Sequence, residues 1–334
     1  MNSYLLNKTT WLFFYLAILP SMLLAENNGP VDAAKAFHDK LPLICQANRP
    51  FSSLSVNFHE EDSKDGGKTW EKVGYHEINW DINKKNYSYA RVSKLKEDFR
   101  SRVEKYSYNG ELTIMDTFFK KTPSDDFSKY QFALAKPNFV EIRQYYPDAA
   151  FEHFFNVYKV GAMSFYTLMG ELLKDPSFMQ MVKSISLKKI DGKEIFEVVT
   201  NIGQVLTIDA TTGCLLSKIV KVPLPNGKSW DSFRSSLEGF VSRDGYYFPK
   251  IMHYQVLEQD GKALTWTRFI FDPDSIKINH PIDPVVFKPI IPVGAQVRDE
   301  VRGITYRETG ISEDGSAEHI SKSLDKIVEA ASKQ

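Results

Sequence analysis

The sequence predicts a mainly β protein of the α+β type, with one large curved antiparallel sheet around a few short helices. Three observations carry that expectation. Runs of alternating apolar and polar residues recur along most of the chain, each bounded by a turn signal such as DGG, NKKN, NG, DGK or ATTG. Helical spacing is confined to the start, the middle and the C-terminal tail. Aromatic residues make up 13% of the 334 residues, a share that suits strands and a large interior.

The start of the chain reads as a targeting segment. Lys8 supplies a positive charge, and Trp11 to Leu24 is an apolar run interrupted by Pro20 and Ser21, with the small Ala25 behind it. That run is short for a membrane span and suits a secretory signal. The expectation is a cleaved signal peptide over residues 1–25, with an uncleaved N-terminal anchor as the alternative. No cysteine stands at the cleavage point, and no other segment reaches about eighteen apolar residues. The mature chain is therefore expected to be periplasmic or secreted, without a lipid anchor or a further span.

A first helix is expected over Pro30 to Gln46, where Ala34, Phe37, Leu41 and Ile44 recur at helical spacing and Pro42 kinks or ends it. The period then falls to two. In SSLSVNFHEE, Leu54, Val56 and Phe58 alternate with Ser55, Asn57 and His59. TWEKVGYHEINWDI follows, with Trp70, Ile78 and Trp80 in one phase, and Tyr87 and Tyr89 open the next strand. RVEKYSY and ELTIMD read as a hairpin closed by a two-residue Asn109-Gly110 turn. Helical spacing returns between Phe127 and Met181, in Phe151, Phe154, Phe155 and Tyr158 and again in Phe165, Leu168, Met169 and Leu172. Strands resume at Ser184 and continue to about residue 307 as an antiparallel meander. A Pro-rich stretch from Asn279 is expected to run along an edge, VRDEVRGITYRE to form a last hairpin, and Ser316 to Ala331 an amphipathic helix with Ile320, Leu324, Ile327 and Val328 on one side. The expected division is leader 1–25, one domain over 26–310 with extra strands from about 229, and a helical tail over 311–334.

Lysine plus arginine and aspartate plus glutamate number 42 each. No strong field draws the chain to nucleic acid, and no nucleic-acid partner is expected. The sequence lacks HExxH, Cys-x-x-Cys, GxSxG, the phosphate-loop lysine and GxGxxG. A calcium loop in DSKDGGKTWE fails because Lys72 falls where a bidentate glutamate is needed. No metal, no cofactor and no catalytic residue is assigned, and the expectation is a protein that is not an enzyme. His59 in His59-Glu60-Glu61 has a solvent-facing strand phase. Asp209 in VLTIDATTGCLLSKIV sits in a segment similar in look to the phosphorylated aspartate of ion pumps. Its context is strand, five turn-prone residues and strand, so it reads as the start of a turn in which Gly213 takes positive φ. Export permits a disulfide between Cys45 and Cys214; two buried thiols are the alternative.

The order of leader, helix, PFSSLSVNFHEE, YSYNGELTIMD, apolar helices and VLTIDATTGCLLSKIVKV resembles the periplasmic lipoprotein carriers of the LolA/LolB-like group over about residues 33–222. The stretch from FDPDSIKIN to PVGAQVRDEVRGITYRE resembles the closing unit of envelope proteins with that fold. The resemblance implies an unclosed antiparallel β-barrel that wraps short helices and forms an apolar cavity for acyl chains. It implies a role in lipoprotein sorting or lipid transport, with a lipid or lipoprotein acyl chain as ligand. The cavity candidates are then Leu54, Val56, Phe58, Trp70, Ile78, Trp80, Leu206 and Ile208. The lid candidates are Phe151, Phe154, Phe155, Phe165, Leu168, Met169 and Leu172, which as a plain core would instead fill the half-barrel. The carriers' functional arginine has no assigned counterpart; Arg91 and Arg268 both read as surface residues. The second reading is an envelope sensor or scaffold that binds a membrane-associated protein partner through the sheet edge or the extra strands.

Overall fold

The structure, a computed structural model, describes residues 31–84, 86–94, 100–109, 113–121, 139–143, 158–160, 163–288, 291 and 293–308. The expected leader over residues 1–25 and the amphipathic helix expected over Ser316 to Ala331 fall outside the described residues. Helix α1 (Val31–Ala47) buries Ala33, Phe37, Leu41, Ile44 and Ala47, so the stripe starts one residue before Ala34. The helix continues through Pro42, because buried residues on both sides of the proline hold the two halves in line.

The strands are β1 (Ser53–Asp62), β2 (Glu71–Asp81), β3 (Asn86–Lys94), β4 (Arg100–Asn109), β5 (Thr113–Lys121), β6 (Phe139–Arg143), β7 (Lys159–Val160), β8 (Met163–Ser164), β9 (Val182–Ile190), β10 (Lys193–Thr200), β11 (Gln204–Asp209), β12 (Leu215–Pro223), β13 (Ser229–Glu238), β14 (Val241–Arg243), β15 (Tyr246–Phe248), β16 (Ile251–Leu257), β17 (Ala263–Phe271), β18 (Lys277–Ile278), β19 (Gln296–Asp299) and β20 (Ile304–Arg307). One sheet runs in the order β20-β19-β6-β5-β4-β3-β2-β1-β17-β16-β13-β12-β11-β10-β9, and β18 adds to β1. Two antiparallel meanders thus meet where β1 pairs with β17. The pairing of β19 with β6 is parallel. Strands β9 and β20 end the ladder without meeting each other, so among the described residues the sheet is unclosed. This is the mainly β architecture that the alternation predicts, and the unclosed barrel that the resemblance implies.

The middle of the chain departs from the expected run of helices. Helix α2 (Phe165–Lys174) forms there, with Ser164 as N-cap accepting from the Thr167 amide. Phe139–Arg143, by contrast, pairs with both β5 and β19. Partners on each side outweigh local spacing. The β4–β5 register also differs from a two-residue turn. Tyr108 stands opposite Thr113, with four residues between them. In the Pro-rich stretch, Pro284–Phe287 is a short 3-10 turn lying on β3 and β4. Ile291, Ala295 and Val297 then join Val140 and Ile142 in a small second core. Strands β19 and β20 form the expected last hairpin.

Candidate functional site: the inner face of the half-barrel

Strand alternation decides which residues share the inner face. The register carries that face from β3 to β10. Tyr89 stands opposite Ile78 and Ile78 opposite Val56, Phe58 opposite Phe271, Phe269 opposite Met252, Met252 opposite Leu237, and Leu206 opposite Val198. Leu54, Val56, Phe58, Ile78, Leu206 and Ile208 are all buried in one cluster, with Trp80 packed on its margin. Phe37, Leu41 and Ile44 of α1 and Phe165, Leu168, Met169 and Leu172 of α2 lie fully buried in the same cluster. The two helices therefore cover the apolar part of the face. Phe151, Phe154 and Phe155 lie outside the described residues.

The inner face is not apolar throughout. His76 is buried, its ring stacked on Phe58 at 4.5 Å. Its Nε2 lies 2.8 Å from Glu60 Oε2 and its Nδ1 2.8 Å from Tyr89 Oη. Arg91 Nη2 lies 3.1 Å from the same Glu60 oxygen. Gly74 makes room for this group. A Cβ there would sit 3.1 Å from His76 Nε2 and 3.2 Å from Glu60 Oε2. Beside it a second polar set runs straight across five strands. Asp62 stands opposite Thr267, Thr267 opposite Tyr254, Tyr254 opposite Ser235 and Ser235 opposite Lys218. Thr267 Oγ1 donates to Asp62 Oδ1 at 2.6 Å. Burial pushes the Tyr254 phenol above its ordinary range, and the charges of Glu60 and Asp62 push the same way. Lys218 is 1% exposed, with Nζ 5.7 Å from the Phe233 ring centroid. Phe233, Tyr254 and Phe269 stack in turn at 6.3 and 5.9 Å, so aromatic faces link the polar row to the apolar floor. The arrangement offers hydrocarbon packing on one side and charged and hydroxyl groups on the other.

Sequence reasoning missed this polar half. Glu60 shares the phase of Phe58, and that was a readable signal. Arg91, expected at the surface, faces inward opposite His76. Lys218 gave no signal, because the register shifts between Thr207 and Ile208 put both Leu215 and Lys218 opposite inward residues.

The outer face corrects one cavity candidate. The β1–β2 register shifts between Glu60 and Glu61. This bulge moves everything before Val73 to the opposite face. Trp70 therefore lies outside, its ring 4.3 Å from the Arg268 guanidinium carbon and 5.7 Å from the His253 ring. Arg268 also grips Glu61 Oε2, through Nε at 2.7 Å and Nη2 at 2.6 Å. It is an outer-face residue, as expected, and is tied down. His59 also points outward, against Tyr75.

The segment after β11 is a turn. Asp209 Oδ1 accepts from the Thr211 and Thr212 amides at 2.8 Å each, and Gly213 has φ of 75°. The turn docks on the end of α1 through Asn48, whose Nδ2 donates to Gly213 O at 2.7 Å and whose Oδ1 accepts from the Leu215 amide at 3.2 Å. Cys45 and Cys214 are free thiols, so no disulfide joins α1 to this turn. Burial pushes both thiols up, Cys45 against the opposing charge of Lys174.

Among the described residues no helix is long and apolar enough to cross a membrane. No protein-family model and no curated protein matches the chain. Among solved structures, the LolA superfamily protein NE2245 from Nitrosomonas europaea is similar with a TM-score of 0.36 and 9% identity, over 77% of this chain and 97% of that one.

Proposed function

We propose that this is an exported, non-catalytic protein that binds a lipid or lipoprotein acyl chain between the inner face of its half-barrel and its helices. The observation that carries the reading is the way α2 is held. This ten-residue helix is too short to be stable alone and rests on four buried side chains, Phe165, Leu168, Met169 and Leu172. Burying four such side chains contributes roughly 6–12 kcal/mol. Burying a sixteen-carbon acyl chain contributes on the order of 12 kcal/mol, at about 0.8 per CH₂. The two are near balance, so exchange of helix for ligand is close to isoenergetic. A carrier needs that balance, because a preformed empty cavity would hold its cargo too tightly for release.

The open ends of the sheet favour the second reading, a scaffold that adds a partner strand at β9. Lys183, Lys188 and Lys189 stand on that strand, and lysines on an edge oppose such pairing. Native mass spectrometry of protein purified from the envelope without detergent separates the two. A co-purifying acyl mass is expected. Protein that emerges empty and also ignores a fluorescent fatty acid refutes the carrier.

A further inference from the structure

The inner face changes character along its length, and the change falls at one end. Thr200, Gln204, Ser235, Tyr254, Thr267 and Glu60 each stand two residues from a buried apolar side chain on their own strand. By alternation each shares that side chain's face. Neighbouring strands are antiparallel, and all six steps point to the same end of the half-barrel. Hydrogen bonds fix this polar band. Thr267 Oγ1 donates to Asp62 Oδ1 at 2.6 Å, the Gln204 amide donates to Thr200 Oγ1 at 3.0 Å, and Ser235 Oγ donates to Lys218 O at 3.5 Å. Hydrocarbon laid over such groups takes them out of water and returns no hydrogen bond, so the band opposes an acyl chain. Beyond it the inner face opens towards solvent. Val220, Phe233, Val256 and Thr265, aligned on four adjacent strands, are all half-buried.

The opposite end is apolar and closed. The β14–β15 hairpin leaves the sheet after Glu238 and returns at Ile251, and these two residues pair with each other. The hairpin packs Val241 and Tyr246 against the core and sets the buried Phe248 edge-on to Phe271 at 5.2 Å. The β11–β12 turn and the end of α1 meet at the same end through Asn48. Strand β1 crosses the whole apolar stretch, with Leu54 opposite Trp80 towards the closed end and Glu60 in the band. Six residues at about 3.4 Å each make a lane of about 20 Å. An extended chain spans at most about 3.6 Å per three bonds, about 1.2 Å per bond, so the lane takes roughly sixteen carbons.

We propose that the polar band orients the cargo. A long-chain amphiphile lies with its methyl end at Leu54 and Trp80 and its head at the band, and the head leaves by the Thr265 end. This rests on the acyl-chain reading and adds to it a direction and a depth.

Trp80 reports the direction. Two octadecanoates carrying a nitroxide, at carbon 5 in one and at carbon 16 in the other, are titrated into the protein, and quenching of tryptophan fluorescence is read. Displacement of a neutral solvatochromic dye by unlabelled octadecanoate checks binding in parallel. The carbon-16 nitroxide is expected to quench at least twofold more than the carbon-5 one. Trp80→Phe is expected to abolish that difference, and Trp266→Phe, on the outer face, to keep it. Equal quenching, or stronger quenching from carbon 5, with the dye still displaced overturns the orientation and leaves acyl-chain binding standing. No quenching and no displacement overturns both. The comparison on the unaltered protein decides the matter even if Trp80→Phe does not fold.

Discussion

Replacing Gly213 by alanine tests how the β11–β12 turn is joined to α1. Gly213 has φ of 75°, and a Cβ there would stand 2.9 Å from the Leu43 carbonyl oxygen and 3.0 Å from Ile44 N and Cα. These are backbone atoms inside a packed helix, so they cannot swing aside as a side-chain tip does. The left-handed conformation costs an alanine about 1–2 kcal/mol. Relieving the overlap means moving the turn off the helix. That strains the two bonds of Asn48 to Gly213 and Leu215, each contributing about 0.5–1.5 kcal/mol. The expected total is about 2–5 kcal/mol. Gly227 is the internal reference, with φ of 77° and nothing within 4 Å of its would-be Cβ. Gly227→Ala therefore carries only the conformational cost. Urea unfolding of both variants reads the difference as a shift in midpoint at unchanged slope. Equal midpoints for the two would show that docking on α1 contributes nothing, and would refute the reasoning.

Four further outcomes follow from the same contacts. Phe165→Ala is expected to destabilise the empty protein by about 3–5 kcal/mol, yet to tighten acyl binding, since less helix packing has to be displaced; weaker binding would count against the exchange. Arg268→Lys keeps the charge but loses the planar fork that bridges Glu61 and Trp70, and a double-mutant cycle with Trp70→Ala is expected to show coupling of about 0.5–2 kcal/mol. The Asp65 carboxyl accepts from Thr69 and Ser63 side chains and from backbone amides, which hold it at about 2 against an ordinary 3.8. Its folded value lies below the unfolded one, so its contribution is present above about pH 4 and is lost as pH falls through 2. An NMR titration following Asp65, with Asp65→Asn as control, checks both value and sign. Thiol titration in denaturant without reductant is expected to find two reactive cysteines per chain, and a count of zero would mean a disulfide had formed.

Much of this protein is a local matter. Alternation in SLSVNFHE and QVLTID is enough to put Leu54, Val56, Phe58, Leu206 and Ile208 inside, because a strand's period of two leaves one face for the core. Asp209 and Gly213 announce their turn, since one supplies acceptors for the next amides and the other tolerates positive φ. Helix α1 and the buried stripe of α2 are legible at 3.6 residues per turn. Register is another matter, since it depends on partners far away in the chain. The bulge opposite Glu60 and Glu61, where Val73 is the extra residue of β2, turns Trp70 outward and belongs to the pairing of β1 with β2. Phe139–Arg143 is a strand because β5 and β19 flank it, although its neighbours in sequence are helical in spacing. The row from Asp62 to Lys218 draws on residues that alternation alone leaves anywhere on the sheet. Most of the strands, the β11–β12 turn and the apolar floor need only neighbours along the chain. Which charges share the interior is settled by cross-strand register, and register is a property of the assembled sheet.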